Sequence, residues 1–499
     1  MKCIFKSMLL LIAIVLILVL VSCNVPDPLP TATVTPDWTN TPIPPTATST
    51  PTPTATATPL PAYIDIDPED LKGVNITLRY RLDGKARDTL EELIHQYNEE
   101  NSLGITVLPK RAYSIDELSE IITGDNEKST DILIADSAFL RSINTSKNKL
   151  MELSDFLNDD SLSFDASGIN PIMPVMLETE NQNGEFFALP IWTSPAFLFY
   201  NKTWAIELGY PDSPTDIASF AEQACAAGRA NYQEKDNGKH GTGGWVISSD
   251  PEDVMSWLLI FADKHSTPGK MLQTNNGDVF TDAASWLKNL YDNGCIWNSR
   301  VKEPYDYFAK RYALFYSGTY SDAERQYNAF EQSENYSFDN WDLIPYPVKS
   351  SDAENDPRIF ADVYSIAVIK GNEAKRTNAA WQFIRWLYQD THAAELAIAA
   401  KGWAVQDNDD VTKLYRNSGE DKLYQTLSYR QYQVNNDADE NWITDKLVFS
   451  DGFAYIFNPS ALPENIPEIW DQIGTVINEI NSLNHTSETP QTNNSIEKE

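Results

Sequence analysis

The sequence predicts an α/β protein of two lobes, and three observations carry that prediction. The stretch from about Asp65 to Leu483 is longer than one hydrophobic core sustains, so it splits between two. Its composition is that of a packed protein: 42% of the whole chain is hydrophobic and 11% aromatic, with 13 Trp and 23 Tyr. Strand-like and helix-like patterns then alternate along the chain, which implies a mostly parallel sheet flanked by helices.

The elements run as follows. Lys2 and Lys6 precede an apolar run, Met8 to Val21, too short to span a bilayer comfortably, ending in Leu20-Val21-Ser22-Cys23. This resembles the bacterial lipobox, which implies a signal peptide over 1–22 and lipidation of Cys23; a plain transmembrane helix or an ordinary cleaved signal are the alternatives. Acylation by more than one chain would make Cys23 a stable anchor. Pro26 to Pro61 is mostly proline and threonine with almost no apolar side chain, so 23–61 reads as an extended tether. Polyproline II at about 3.1 Å per residue gives it a reach on the order of 100 Å.

Beyond the tether, Ile76, Leu78, Tyr80 and Leu82 alternate as in a strand, and Leu90, Leu93, Ile94 and Tyr97 recur at helical spacing. Ile105 to Leu108 predicts a second strand. Ser114-Ile115-Asp116-Glu117 fits a capping box ahead of the stripe Leu118, Ile121, Ile122, and Asp131 to Ala135 predicts a buried third strand. In parallel sheets ligands bind at the carboxyl ends of strands, which points to Leu82–Lys85 and Asp136–Ser137. The polar end, 485–499, lacks apolar periodicity and predicts a disordered tail.

The formal net charge of −34 argues against nucleic acid or an anionic membrane surface as partner. With Cys3 in the leader and Cys23 lipidated, Cys225 and Cys295 remain as one pair in an oxidising setting. They are predicted to form a disulfide, the alternative being two separate buried thiols. The five histidines show no ligand spacing and no CxxC occurs, so neither metal nor cofactor is expected.

Asp131-Ile132-Leu133-Ile134, then Leu189-Pro190-Ile191 leading to Phe199-Tyr200-Asn201-Lys202, resembles the extracellular solute-binding proteins of ABC transporters. Leu208-Gly209-Tyr210-Pro211, Phe308 to Gly318, Ile344-Pro345-Tyr346-Pro347 and Asn378 to Ile384 agree in order and spacing with the family-1, sugar-type, maltose-binding-protein-like members. Cys225 and Cys295 also look like a pair seen in tethered lipoprotein members. The resemblance implies a periplasmic-binding-protein-like fold, two α/β lobes joined by a hinge with a ligand cleft between them. Lobe 1 would take about 71–192 and 366–390, and lobe 2 about 195–360 and 405–484, within a domain of 62–484. The hinge strands would be Ile191 to Ala196 and Ala361 to Ser365.

Sugars require flat apolar faces and hydrogen-bond forks. Position matching with the family implies Asp83 and Lys85 after the first strand, and Asp136 and Ser137 after the third. It implies Trp192, Thr193 and Ser194 on the first crossover, Tyr320 after Gly318, and Asp362 and Tyr364 on the second crossover. Trp403 follows a late helix, and Trp245 and Trp257 are further aromatic candidates; the competing reading for each aromatic residue is the core.

The implied role is a lipid-anchored, monomeric substrate-binding subunit on the outer face of a bacterial cell membrane, handing a carbohydrate to a membrane permease. The same role for a polyamine or a glycerol phosphodiester is the alternative, followed by a glycoside-acting enzyme or a structural lipoprotein. No HExxH, GxSxG or P-loop motif supports catalysis.

Overall fold

A computed structural model describes residues 61–124, 130–164, 172–235, 237–272, 277–299, 303–350, 356–434 and 441–487. The leader, Cys23 and all but the last residue of the tether lie outside the described residues, as does 488–499 of the predicted tail. Leu60–Glu499 is one compact unit.

Its strands are β1 (Asn75–Tyr80), β2 (Thr106–Arg111), β3 (Ile132–Asp136), β4 (Asn181–Gln182), β5 (Glu185–Phe186), β6 (Leu189–Asn201), β7 (Trp245–Val246), β8 (Ile296–Trp297), β9 (Phe315–Thr319), β10 (Trp341–Ile344), β11 (Ala361–Val368) and β12 (Trp403–Ala404). Except for the small β4–β5 hairpin they pair in the order β2-β1-β3-β11-β6-β9-β7-β8, with β10 and β12 also on β6.

The first lobe starts from the alternation read in the sequence. Ile76, Leu78 and Tyr80 of β1 point into one core, where Leu90, Leu93, Ile94 and Tyr97 of helix Gly84–Glu100 cover them. β3 is buried on both faces, as a central parallel strand should be. Ile132 and Ile134 enter that core, and Leu133 and Ala135 enter a second one with Leu118, Ile122 and Phe139. β1 lies parallel to both β2 and β3. Helix Ile115–Thr123 is capped by Ser114, whose Oγ accepts from Glu117 N at 3.0 Å. The return bond from Glu117 takes Tyr113 N at 2.7 Å, one residue before the position a capping box uses.

β6 then serves both lobes. Its first half, Leu189–Pro195, runs antiparallel to β11. Its second half pairs with β9 and β10. Beyond it, helices Ile217–Gln233, Pro251–Phe261, Gly277–Asp292, Trp442–Tyr455 and Ile466–Ser487 close a further core with Phe220, Trp257, Phe280, Phe449 and Trp470. The last helix runs past the predicted domain end at 484. Residues after 405 bridge the lobes: Lys401 pairs with Glu420, while Lys422 bonds the Trp341 carbonyl on β10.

Cys225, in helix Ile217–Gln233, and Cys295, just before β8, are disulfide-bonded. Helix and strand meet closely here: Gly244 has φ +41°, and a Cβ on it would collide with the Cys295 carbonyl. The bond closes a loop of sequence separation 70. Replacing both cysteines by serine is expected to lower the unfolding free energy by about 4 kcal/mol on the chain-entropy account, read as a lower denaturant midpoint.

Candidate functional site

Sheet topology decides where a ligand can meet both lobes. β1, β2 and β3 point their carboxyl ends toward the crossing strands, since Asp136 at the end of β3 lies opposite Tyr364 of β11. β9 does the same from the other side, its last residue Thr319 lying opposite Ala196. β7 is parallel to β8 and β9, so its end at Val246 faces the same way. Both sheets thus present strand ends to one seam, the position that α/β sheets use for ligands.

Acidic side chains gather at this seam. Asp136 caps helix Ser137–Lys147, its Oδ1 accepting from Ala138 N at 2.9 Å and Phe139 N at 3.3 Å. Asp362 stands two residues before Tyr364 on β11. Glu252 sits in the first turn of helix Pro251–Phe261, and Lys446 reaches in from helix Trp442–Tyr455. The Lys446 ammonium lies 3.0 Å from Glu252 Oε1 and 3.8 Å from Asp362 Oδ1.

Burial pushes the Asp362 carboxyl well up; Lys446 opposes this, and neighbouring Glu252 and Asp136 add to it. Asp136 is raised chiefly by burial, against the pull of Lys446 and its two backbone donors. Burial would raise Glu252 as well, but Lys446 holds it below the usual carboxylate range. For Lys446 burial works against the charge, yet the three carboxylates outweigh it and raise the ammonium pKa.

An aromatic wall adjoins these acids. The Trp192 and Tyr364 rings stack at 4.7 Å between centroids and 9° between planes. The register that allows this includes a β-bulge: Tyr364 pairs with Trp192 but Ser365 with Pro190, leaving Ile191 as the extra residue. Burial, with Asp136 and Asp362 nearby, pushes the Tyr364 hydroxyl up to about 12. Gly402 backs the wall, since a Cβ there would strike the Thr193 carbonyl and the Trp192 ring. Ser194 pairs with Asp362 and is part-exposed, whereas Thr193 is fully buried.

A second polar group joins residues from both lobes. Tyr320 donates its hydroxyl to Glu420 Oε2 at 2.7 Å, and Lys401 pairs with the same carboxylate. Burial would raise Glu420, but the bonds from Lys401 and Tyr320 and the nearby charge of Lys85 hold it down. Asp83 is ion-paired with Arg111 on β2.

The structure therefore brings Asp136, Asp362, Tyr364, Trp192 and Ser194 together, and sets Lys85 and Tyr320 around Glu420. Other predicted contacts are corrected. Trp245 and Trp403 are fully buried, their indole N–H groups engaged by Ser317 Oγ at 3.0 Å and Thr426 Oγ1 at 2.8 Å, so neither ring offers a face to a ligand. Trp257 packs against Trp245 in the same core. Tyr320 and Trp192 are each 2% exposed: Tyr320 keeps its hydroxyl rather than its ring for polar contact, and the Trp192 ring is covered by Tyr364 and Gly402, so the part-exposed ring of that pair is Tyr364. Ser137 is committed to a buried network, bonding Glu180 and lying 2.7 Å from Ser365 Oγ.

Glu252, Lys446, Glu420 and Lys401 were missed. Only Glu252 had a sequence signal, the helix start Asp250-Pro251-Glu252-Asp253 with proline in the first turn.

A polar cavity of about 270 Å³ opens at the ends of β7, β8 and β9, lined by Ser248, Asp250, Asn298, Ser299, Tyr316 and Ser317. A larger one, about 460 Å³ and lined in part by Leu259, Arg358 and Gln433, contains neither the acids nor the aromatic stack. The smaller cavity contains none of them either; Asp136, Ser137 and Asp362 line a separate, narrow cavity of about 10 Å³. No group of residues able to hold a metal ion occurs among the described residues.

The raised Asp362 has a consequence for stability. Its folded pKa exceeds the unfolded value of about 3.9, so the stability it contributes is complete below that value and lost as pH rises through the folded pKa. Asp362→Asn removes the ionisation. Near pH 7 it is expected to raise Tm by roughly 1–2 °C, about 1 kcal/mol for a chain of this size, and the gain should vanish toward pH 4 in a pH series of melting curves.

Comparison with known proteins agrees with this architecture. Residues 92–412 match the family model described as bacterial extracellular solute-binding protein. A sequence search of curated proteins gives no match. Among solved structures, the sugar-binding protein MalE of Xanthomonas citri is similar with TM-score 0.64 and 15% identity, covering 82% of this chain and 99% of that one. The cyclic α-maltosyl-1,6-maltose binding protein of Arthrobacter globiformis is similar with TM-score 0.63 and 15% identity, covering 81% and 98%. An ABC transporter solute-binding protein of Agrobacterium radiobacter in complex with ribitol gives TM-score 0.56 and 16% identity, covering 81% and 99%. At such identities the likeness is one of fold, a two-lobed α/β architecture with a hinge. The chain belongs to the bacterial extracellular solute-binding protein family.

Proposed function

We propose that this chain is the lipid-anchored substrate-binding subunit of an ABC importer, capturing a carbohydrate between its lobes and delivering it to a permease. The observation that carries this reading is the part-exposed Tyr364 ring, backed by the buried Trp192 on which it stacks, beside Asp136 and Asp362 at the seam of the two sheets. A pyranose ring offers an apolar C–H face to such an aromatic wall and hydroxyl donors to such carboxylates. A ligand touching both lobes stabilises the closed arrangement by its differential affinity, which is what a permease reads. The similar structures, a sugar-binding protein and a cyclic maltosyl-maltose binding protein, support the same class of solute. Anchoring rests on Cys23 and the Pro/Thr tether. Among the described residues no helix is long and apolar enough to cross a membrane.

The same role for a polyamine is a second reading, favoured by one observation: Glu252 and Asp362 meet a single ammonium group at the seam, with Asp136 near. Thermal-shift and calorimetric titrations with mono- and oligosaccharides, polyamines and glycerol phosphates separate the readings. A saccharide is expected to raise Tm, and Tyr364→Ala to weaken its Kd by at least about tenfold, some 1.4 kcal/mol. A response to amines alone removes the saccharide, and silence toward every solute class removes the importer role.

A further inference from the structure

Lys446 occupies a position that ligand recognition alone does not explain. The acids it pairs with come from two parts of the fold, Asp362 from β11 in the crossing and Glu252 from a helix of the second lobe, while Asp136 of β3 in the first lobe adds its charge from farther off. Lys446 comes from a fourth element. Its helix is fixed in the second-lobe core by Trp442, Phe449 and Phe453, while Ile443 packs against both that core and one of the first lobe. The ammonium is thus delivered by a rigid support, and its side chain keeps only 15% of its exposure. The pairings at 3.0 Å and 3.8 Å are those a bound alkylammonium would make. A lysine side chain beyond Cβ has three carbons and an ammonium, the shape of a propylammonium ion.

We propose that Lys446 is the specificity-determining residue of the cleft: its ammonium fills an amine-recognition site built by Glu252 and Asp362. The wild-type cleft thereby turns away cationic solutes and keeps its aromatic wall for neutral, hydroxyl-rich ones. The chain without that ammonium takes a primary amine in its place. This rests on the cleft being the solute site, as proposed above, and not on the solute being a saccharide. It also decides between the two readings given there, because an amine solute would have to displace Lys446 from partly buried carboxylates while leaving Lys446 itself unpaired.

Chemical rescue tests the inference. In the full chain in detergent micelles, Lys446→Ala is expected to lower Tm by about 5 °C, as removal of one partner from a buried ion pair does. Millimolar n-propylammonium chloride should restore at least half of that loss with saturation, while n-propanol and sodium chloride at equal concentration should not. Wild type should respond neither to propylammonium nor to putrescine. If Lys446→Ala does not fold alone, it is refolded with propylammonium or with propanol present, and recovery of folded protein with the amine only is the expected result. Recovery by propanol or salt, absence of any amine-specific recovery, or an equal amine response in wild type overturns the inference. Saccharide binding is followed in parallel. Amine rescue with saccharide silence leaves this assignment and removes the carbohydrate, while saccharide binding without amine rescue does the reverse.

Discussion

The arrangement depends on one strand that belongs to two sheets. β6 is 13 residues long, roughly 40 Å of extended chain, and is bonded to β11 over its first half and to β9 and β10 over its second. Side chains in a strand alternate, so a slip of one residue would turn Phe197 and Phe199 out of one core and Leu198 and Tyr200 out of the other. Register in β6 is therefore held from both faces. The bulge at Ile191 is the one place where alternation is reset, and it is also where Trp192 comes to lie on Tyr364. The constraint that builds the molecule also shapes the candidate site.

With a net charge of −34, the chain must decide where its acids go, and away from the seam it answers by pairing. Asp131, 1% exposed in its side chain, accepts a two-pronged bond from Arg376 and a third from Thr77 N at 2.7 Å, tying the first-lobe sheet to helix Ala374–Leu387. Arg311 is shared between Glu207 and Asp339, with 2.7 Å bonds to the latter. Asp253 is buried, which pushes its carboxyl well up, and is held by Ser248 and Tyr346. Against this pattern the seam stands out, for there Glu252 and Asp362 share a single ammonium, with Asp136 near. Under-compensated acids in a partly enclosed crevice are costly for the fold, and such groups concentrate where function requires them.

How much of this was legible depends on the range of the signal. β1, β3 and helix Gly84–Glu100 could be read because Ile76, Leu78, Tyr80 and Leu90, Leu93, Ile94, Tyr97 carry their periodicity within a few residues. The cysteine pair followed from counting. Asp136, Trp192, Asp362 and Tyr364 were expected at the cleft through resemblance, since strand ends and crossings keep their place in a family even when the residues change. Trp245, Trp257 and Trp403 were offered as cleft residues because residue type is visible in a sequence and facing direction is not. In strands of two residues there is no periodicity to tell the core side from the open side. Lys446 could not be read at all. It lies far along the chain from Asp136 and Glu252, in a helix whose hydrophobic pattern is nearly uniform around its axis, and only the return of the C-terminal segment puts it between them.

The coincidence of hinge and site has a mechanical meaning. Asp362 pairs with Ser194 and Tyr364 with Trp192 in the ladder that joins the lobes, so the groups that would touch a solute are rungs of the hinge itself. A solute seated on Tyr364 acts on the strands whose twist sets the lobe angle, with no intervening relay. Lys446 and Glu252 belong to the second lobe and Asp136 to the first, so the charge balance at the seam is also a balance between the lobes. Changing one of these charges should therefore move affinity and lobe position together, because closure and recognition draw on the same few contacts.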